Sequence, residues 1–477
     1  MKKNFLLVAL SLMTALSAFA EKSTVSSPDG KLNVVVEDHD GKLYYSVDYA
    51  GKRMMEPSQL GLLANVGDFY QGLTYQKKNE AKVDKSYDLR TAKTSHVDYH
   101  ANQLSVTYLN AKQEPMTVTF NVSDNDVAFR YTFDGLKAQH IIIHEEKTAF
   151  NLPQISTSFL CPQSDPLIGF ARTKPSYEED YKPDAPLTAK SGYGRGYTFP
   201  CLFKVGGDGW VLVSETGTHG NYPGCHISDY DAAKGYQIAF PMQEEGDGIG
   251  SNNAVFSLPG STPWRTITVG KDLKPLVETT IPYDVVEPRY EASQQYGAGK
   301  YAWSWLVWQD ASCNYQDQKQ FIDLAATMGY EYVLVDALWD TQIGRDKIAE
   351  LSRYAQSKGV SLMLWYNSNG ITNDAPQGPH NCMDNIVARK KEMAWMKSIG
   401  VKGIKVDFFG SDKQQTMQNY EDILSDANDY GIQVIFHGCT LPRGWERMYP
   451  NFISSEAVLA SENVFFSEYH AKQEGFE

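Results

Sequence analysis

Cysteine is scarce in this chain, and the six present (Cys161, Cys201, Cys225, Cys313, Cys382 and Cys439) are spread too widely for a metal or redox motif. No C-x-x-C pair occurs. Scattered cysteines in a chain able to bury a large core read as buried thiols with no essential bridge. Basic residues are also in deficit, with 44 Lys and Arg against 58 Asp and Glu and a formal net charge of −14. An acidic surface repels phosphate backbones, and no Lys or Arg cluster is interleaved with aromatics, which excludes nucleic acid as a partner. Beyond residue 20 no apolar run reaches the length that a bilayer requires, so membrane insertion is excluded as well.

What is present begins with the first twenty residues, MKKNFLLVALSLMTALSAFA. Lys2 and Lys3 supply a positive start, Phe5 to Leu16 an apolar stretch, and Ala18-Phe19-Ala20 small residues for cleavage. Residues 1–20 are therefore expected to be a signal peptide, and the chain an exported one, periplasmic or secreted. No cysteine follows the cleavage region, so no lipid anchor is expected there. Aromatic residues make up 12% of the chain, with nine Trp and 29 Tyr. Pyranose C–H faces stack on such rings, which fits a carbohydrate partner, although aromatic-rich strands packing on each other account for most of them.

Two textures divide the chain. Residues 21–280 contain short alternating runs such as KLNVVVED, KLYYSVDY, QLSVTYL, PMTVTFNV, VAFRYTF and GWVLVSET, separated by turn signals such as SPDG, HDGK, YAGK and VGGDG. They predict an N-terminal antiparallel β-sandwich. Residues 281–292, IPYDVVEPRYEA, read as a linker. From 293 to 477 near-continuous apolar strands alternate with amphipathic helices that end in glycine (TMGY, SKGV, SIGV, DYGI), the pattern of a covered parallel sheet. An open doubly wound sheet or a (β/α)8 barrel both fit. The barrel is favoured because no glycine-rich dinucleotide turn follows the first strand. Polar and aromatic residues also collect at strand ends, including Trp305, Asp336, Trp365, Tyr366, Asp407 and His437. With five clear units and a sixth strand in NFISSEAV, the barrel is expected to stop after about the sixth strand, incomplete at the C-terminus.

Asp407 ends the apolar run KGIKVDFF. A partly desolvated carboxylate there reads as a catalytic nucleophile, and equally as a cap for the next helix or a partner of Lys405. Glu456 and Glu462 follow in YPNFISSEAVLASEN. Glycoside hydrolysis needs two carboxyl groups flanking the scissile bond, but spacing alone does not separate such a pair from surface glutamates. Asp336, Trp305 and Trp365 stand where a sugar would stack or bond, or where side chains simply fill a barrel mouth. His437 reads as a sugar-hydroxyl partner or a structural histidine.

The runs GIKVDFFGSD, IFHGCTLPRGWERMYPN and SSEAVLASE together resemble the catalytic domain of glycoside hydrolase family 97. KYAWSWLVW, YEYVLVDALWD and LMLWYN agree, as does the order of sandwich and barrel. The resemblance implies a calcium-dependent enzyme acting on α-linked hexosides. Inverting members, α-glucosidases, place a base glutamate directly after the fifth-strand histidine and lack the fourth-strand aspartate. Retaining members, typified by α-galactosidases, have the aspartate and no such glutamate. This chain has Asp407, and Gly438 follows His437. The resemblance thus implies Asp407 as nucleophile, Glu462 as acid/base, and Glu215, Glu456 and Glu462 as Ca2+ ligands. The expected function is a retaining α-galactosidase acting as a monomer on oligosaccharides or α-galactosides. An inverting α-glucosidase and a non-catalytic carbohydrate-binding protein stand as alternatives.

Overall fold

The computed structural model describes residues 22–368 and 371–466. The expected leader lies outside them. Among the described residues no helix is long and apolar enough to cross a membrane, and all six cysteines are free.

The N-terminal half is built from antiparallel sheets. Leu32–His39 and Lys42–Tyr49 pair from Leu32 with Tyr49 to His39 with Lys42, leaving the two-residue loop Asp40-Gly41. Both loop residues have positive φ, 52° and 73°, as do Ala50 (47°) and Gly51 (78°) in the next hairpin. Such loops match the twist of the strands they join, which is why HDGK and YAGK turn the chain. Strict alternation then sends Leu32, Val34 and Val36 inward and leaves Asn33 and Val35 half exposed. A ten-stranded sheet contains Thr74–Asp88, His96–Leu109, Pro115–Val122, Asp126–Phe133, Trp264–Gly270 and Gly209–Thr216 as successive neighbours. Phe120 and Phe129 stack with ring centroids 5.2 Å apart in the shared core.

Among the described residues the C-terminal half holds six parallel strands: Tyr301–Trp303, Tyr332–Val335, Ser361–Asn367, Gly403–Asp407, Gln433–His437 and Phe452–Glu456. Each pairs with its predecessor in chain order. A doubly wound sheet would reverse that order, whereas a barrel wall keeps it. Among the described residues the sheet is open, with the first and sixth strands at its edges. Helices Tyr315–Met328, Arg345–Ser357, Ile386–Ile399 and Gln414–Tyr430 cover it. Gly329, Gly400 and Gly431 close three of them in the left-handed conformation. Asn314 and Asn385 accept two backbone N–H bonds each at helix starts.

Residues 281–292 form a packed strap. Ile281 and Val285 are buried with Leu89, Val97, Tyr99 and Trp264 of the sandwich. Tyr87 donates to Asp284 at 2.6 Å, and Tyr290 donates to Asn451 of the sheet half at 2.8 Å. The strap thus fixes one half of the molecule against the other.

Candidate active site

The C-terminal ends of the parallel strands open into a cavity of about 680 Å3. Trp305, Asp336, Trp365, Asp407, His437 and Glu462 all line it. Asp407 is the last residue of a wholly buried strand, and three donors fix its carboxylate. Phe408 N–H lies 2.7 Å from Oδ1, Trp365 Nε1 lies 3.1 Å from Oδ2, and His437 Nδ1 lies 3.1 Å from Oδ1. Burial alone would raise its pKa. The positive charge and hydrogen bond of His437 outweigh that, helped by Lys405 and Trp365, and hold Asp407 at about 2.

His437 is the hub. Its Nε2 lies 3.3 Å from Glu456 Oε2 and 3.0 Å from Glu462 Oε1. Burial disfavours its charge, yet Asp407 and Glu456 raise the imidazole well above the usual histidine range. A single ring therefore stands between Asp407 and Glu462. Glu456 is half-buried, and His437 and Lys405 hold its carboxyl below the usual range against that partial burial. Lys405 Nζ is 3.4 Å from Asp336 and sits 4.1 Å over the ring of Trp303. Trp303 Nε1 donates to Asp336 at 2.7 Å and stacks on Trp305 at 5.5 Å and 15°. These aromatics make one wall, while Phe170, Trp308 and Phe466 are exposed at the rim.

Gly438 explains how Asp407 fits. Its φ is +47°, and a Cβ there would stand 2.6 Å from Asp407 Oδ1 and 3.1 Å from Phe408 N. No side chain larger than hydrogen shares that space with the aspartate.

The resemblance-based expectation for Glu215 is corrected. Its carboxylate is buried between Arg265 and Arg443, which it bonds through Oε2 and Oε1, and it accepts from Cys225 N–H at 2.8 Å. A carboxylate committed to two guanidinium groups has no oxygen to offer a cation. Arg443 in turn donates to Tyr177 at 3.0 Å, and Tyr177 donates to Asp412 at 2.7 Å. The residue after Tyr177 is Glu178, which the sequence reading missed. Nothing in SYEED distinguishes it from Glu179, which pairs with Lys174 at 2.8 Å. Glu178 instead points into the cavity, so Glu215 supports the site only through Arg443 and the Tyr177 loop. Glu215→Ala leaves buried Arg443 without its carboxylate and Arg265 with Glu146 alone, and should cost about 3–5 kcal/mol. Thermal unfolding measures this, and a melting temperature within a degree of the parent would refute it.

Glu178, His437 and Glu462 bring ligand-type atoms within 4.8 Å of one another. Glu178 Oε1 is buried without a hydrogen-bond partner, and burial pushes its carboxyl up to about 7 despite nearby His437 and Lys174. Glu178, with its unpartnered buried Oε1, and Glu462 offer carboxylate oxygens of the kind a hard cation such as Ca2+ takes. Glu178→Gln should weaken calcium binding at least about tenfold. At fixed calcium the stabilisation then shrinks by about 1.4 kcal/mol. An unchanged calcium-dependent rise in melting temperature would contradict this.

Residues 25–288 match the family model described as glycosyl-hydrolase 97 N-terminal, and residues 294–458 the one described as glycoside hydrolase 97. A probable retaining alpha-galactosidase of Streptomyces bingchenggensis is 27% identical over 97% of this chain and 70% of its own length. A retaining alpha-galactosidase of Bacteroides thetaiotaomicron is 26% identical over 98% and 72%. The crystal structure of a beta-arabinopyranosidase superposes with a TM-score of 0.94 at 54% identity, over 95% of this chain and 73% of that one.

Proposed function

The chain belongs to glycoside hydrolase family 97, and from that premise we propose that it is a retaining glycosidase using Asp407 as nucleophile and Glu462 as acid/base. The observation that carries this reading is the ionised, three-fold anchored Asp407 beside Gly438. A general base for direct attack by water on the opposite face has no side chain at that position.

In the first step an Asp407 oxygen bonds to the anomeric carbon as the glycosidic bond breaks, and Glu462 gives its proton to the departing oxygen. In the second, Glu462 takes a proton from water, whose oxygen displaces Asp407 and restores the starting anomeric configuration. His437 and Trp365 hold the nucleophile's two oxygens in place through both steps. Lys405 and Asp336 form a polar floor for sugar hydroxyls, and Trp305 offers a stacking face. Glu178, Glu456 and Glu462 would hold calcium. When bound, it supplies fixed positive charge that offsets the clustered carboxylates and can polarise a sugar hydroxyl.

The substrate reading draws on two kinds of relative. An α-D-galactopyranoside and a β-L-arabinopyranoside have the same ring configuration and differ only by the hydroxymethyl group on C5. One site geometry serves both, and the relative at 54% identity favours the pentoside. Assays on the two aryl glycosides, with the product anomer followed by NMR, test it. The expected result is turnover of both, faster for the arabinopyranoside, with the substrate's own anomer released first. Release of the opposite anomer would overturn double displacement, and preference for an aryl α-glucoside would overturn the substrate class.

A further inference from the structure

A second cavity, of about 760 Å3, lies between the long hairpin, the sandwich and the strap, away from the strand ends. Arg130, on strand Asp126–Phe133, lines it with its guanidinium 4.3 Å over the Trp264 ring. Arg265, Arg389 and Arg443, the fully buried arginines, each rest on a carboxylate. Arg130 does not, and its Nε is buried without a partner. Asp134 tempers the charge only from a distance, against a burial that lowers the guanidinium pKa. The other charged groups lining the cavity are committed: Lys85 to Glu287, and His219 and Arg289 to Glu421. Asn221 also lines this cavity, and its buried Oδ1 likewise lacks a partner.

We infer that this cavity is a second saccharide site, selective for a sugar that bears a carboxylate, as in a uronic acid. A planar guanidinium braced on an indole holds its fork in one plane, which suits the two oxygens of a carboxylate. Asn221 Oδ1 accepts from a sugar hydroxyl, so one ligand satisfies the unmatched donor and the unmatched acceptor together. A neutral hexose leaves Arg130 unanswered, and an inorganic anion leaves Asn221 unanswered. The volume falls in the range that takes a small molecule such as a mono- or disaccharide.

Calorimetric titration of the full chain with D-glucuronate, D-glucose and sulfate tests this. Glucuronate should bind saturably and at least tenfold more tightly than glucose. Arg130→Gln should weaken it about tenfold or more, and Asn221→Ala several-fold, both with aryl glycoside hydrolysis at the parent rate. Equal glucuronate affinity in the parent and in either variant that retains hydrolysis overturns the inference, as does sulfate binding without glucuronate binding. A crystal soaked in glucuronate gives a reading independent of the variants. The sugar acid against Arg130 supports the site, and its presence only elsewhere, or water alone on Arg130, overturns it.

Discussion

Asp407→Ala should lower kcat by about 10^4-fold or more, since removing a nucleophile from a concerted catalytic group leaves only binding and electrostatic help. The loss is expected in kcat far more than in KM, because Asp407 forms its bond only on the way to the intermediate. Azide should restore part of the rate by entering the space the carboxylate leaves. Attack from that face with no second displacement inverts the sugar, so an α-galactoside yields the β-galactosyl azide. Undiminished turnover, or a retained-configuration azide, would remove Asp407 from the role. Interpretation needs a folded variant. The strand Gly403–Asp407 is anchored by its neighbours along its whole length, which makes a folded Asp407→Ala protein the expected product.

Gly438→Ala should also lower kcat, less than Asp407→Ala does, without touching a reactive atom. The added carbon collides with Asp407 Oδ1 at 2.6 Å, and the backbone is in a region that alanine adopts at a cost of about 1–3 kcal/mol. Either Asp407 turns away from its three donors or the fifth strand end shifts. A displacement near 1 Å at a reacting group costs on the order of 100-fold in kcat. The clash gives a sharper test through a double-mutant cycle. In an Asp407→Gly background the part of the Gly438→Ala penalty that comes from the clash should vanish while the backbone cost stays, giving a coupling energy above about 1 kcal/mol. Additive penalties would mean that the two positions do not compete for space. That competition gives a physical cause for the reciprocal pattern of aspartate and glutamate expected from the family resemblance.

The sequence made the regular parts of this molecule legible because periodicity reports burial. The alternating runs became strands at KLNVVVED and PMTVTFNV, and the glycine-ended helices stopped at Gly329, Gly400 and Gly431. Thr74–Asp88 went unread because most of its fifteen residues are exposed polar ones held by pairing with His96–Leu109. Nothing in its pattern marks an inner face. In the site, Asp407, His437 and Glu462 stood at strand ends or just beyond the last one, where topology gathers them whatever the loops do. Glu178 and Glu215 come from the N-terminal half, and where their carboxylates lie depends on Arg443 meeting Glu215 and Tyr177 across the domains. Contacts between residues more than two hundred positions apart leave no local trace.

The Arg265–Glu215–Arg443 contact also bears on how sugar enters and leaves. Glu215 and Arg265 belong to the sandwich, and Arg443 follows the fifth strand of the sheet half. Parting the two halves would strand ionised groups that are fully buried, at a cost of several kcal/mol. The seam is a weld rather than a hinge. Access to the cavity then runs past the exposed rings of Phe170, Trp308 and Phe466 at its rim. Trimming them should alter turnover of bulky glycosides while leaving small aryl glycosides nearly untouched.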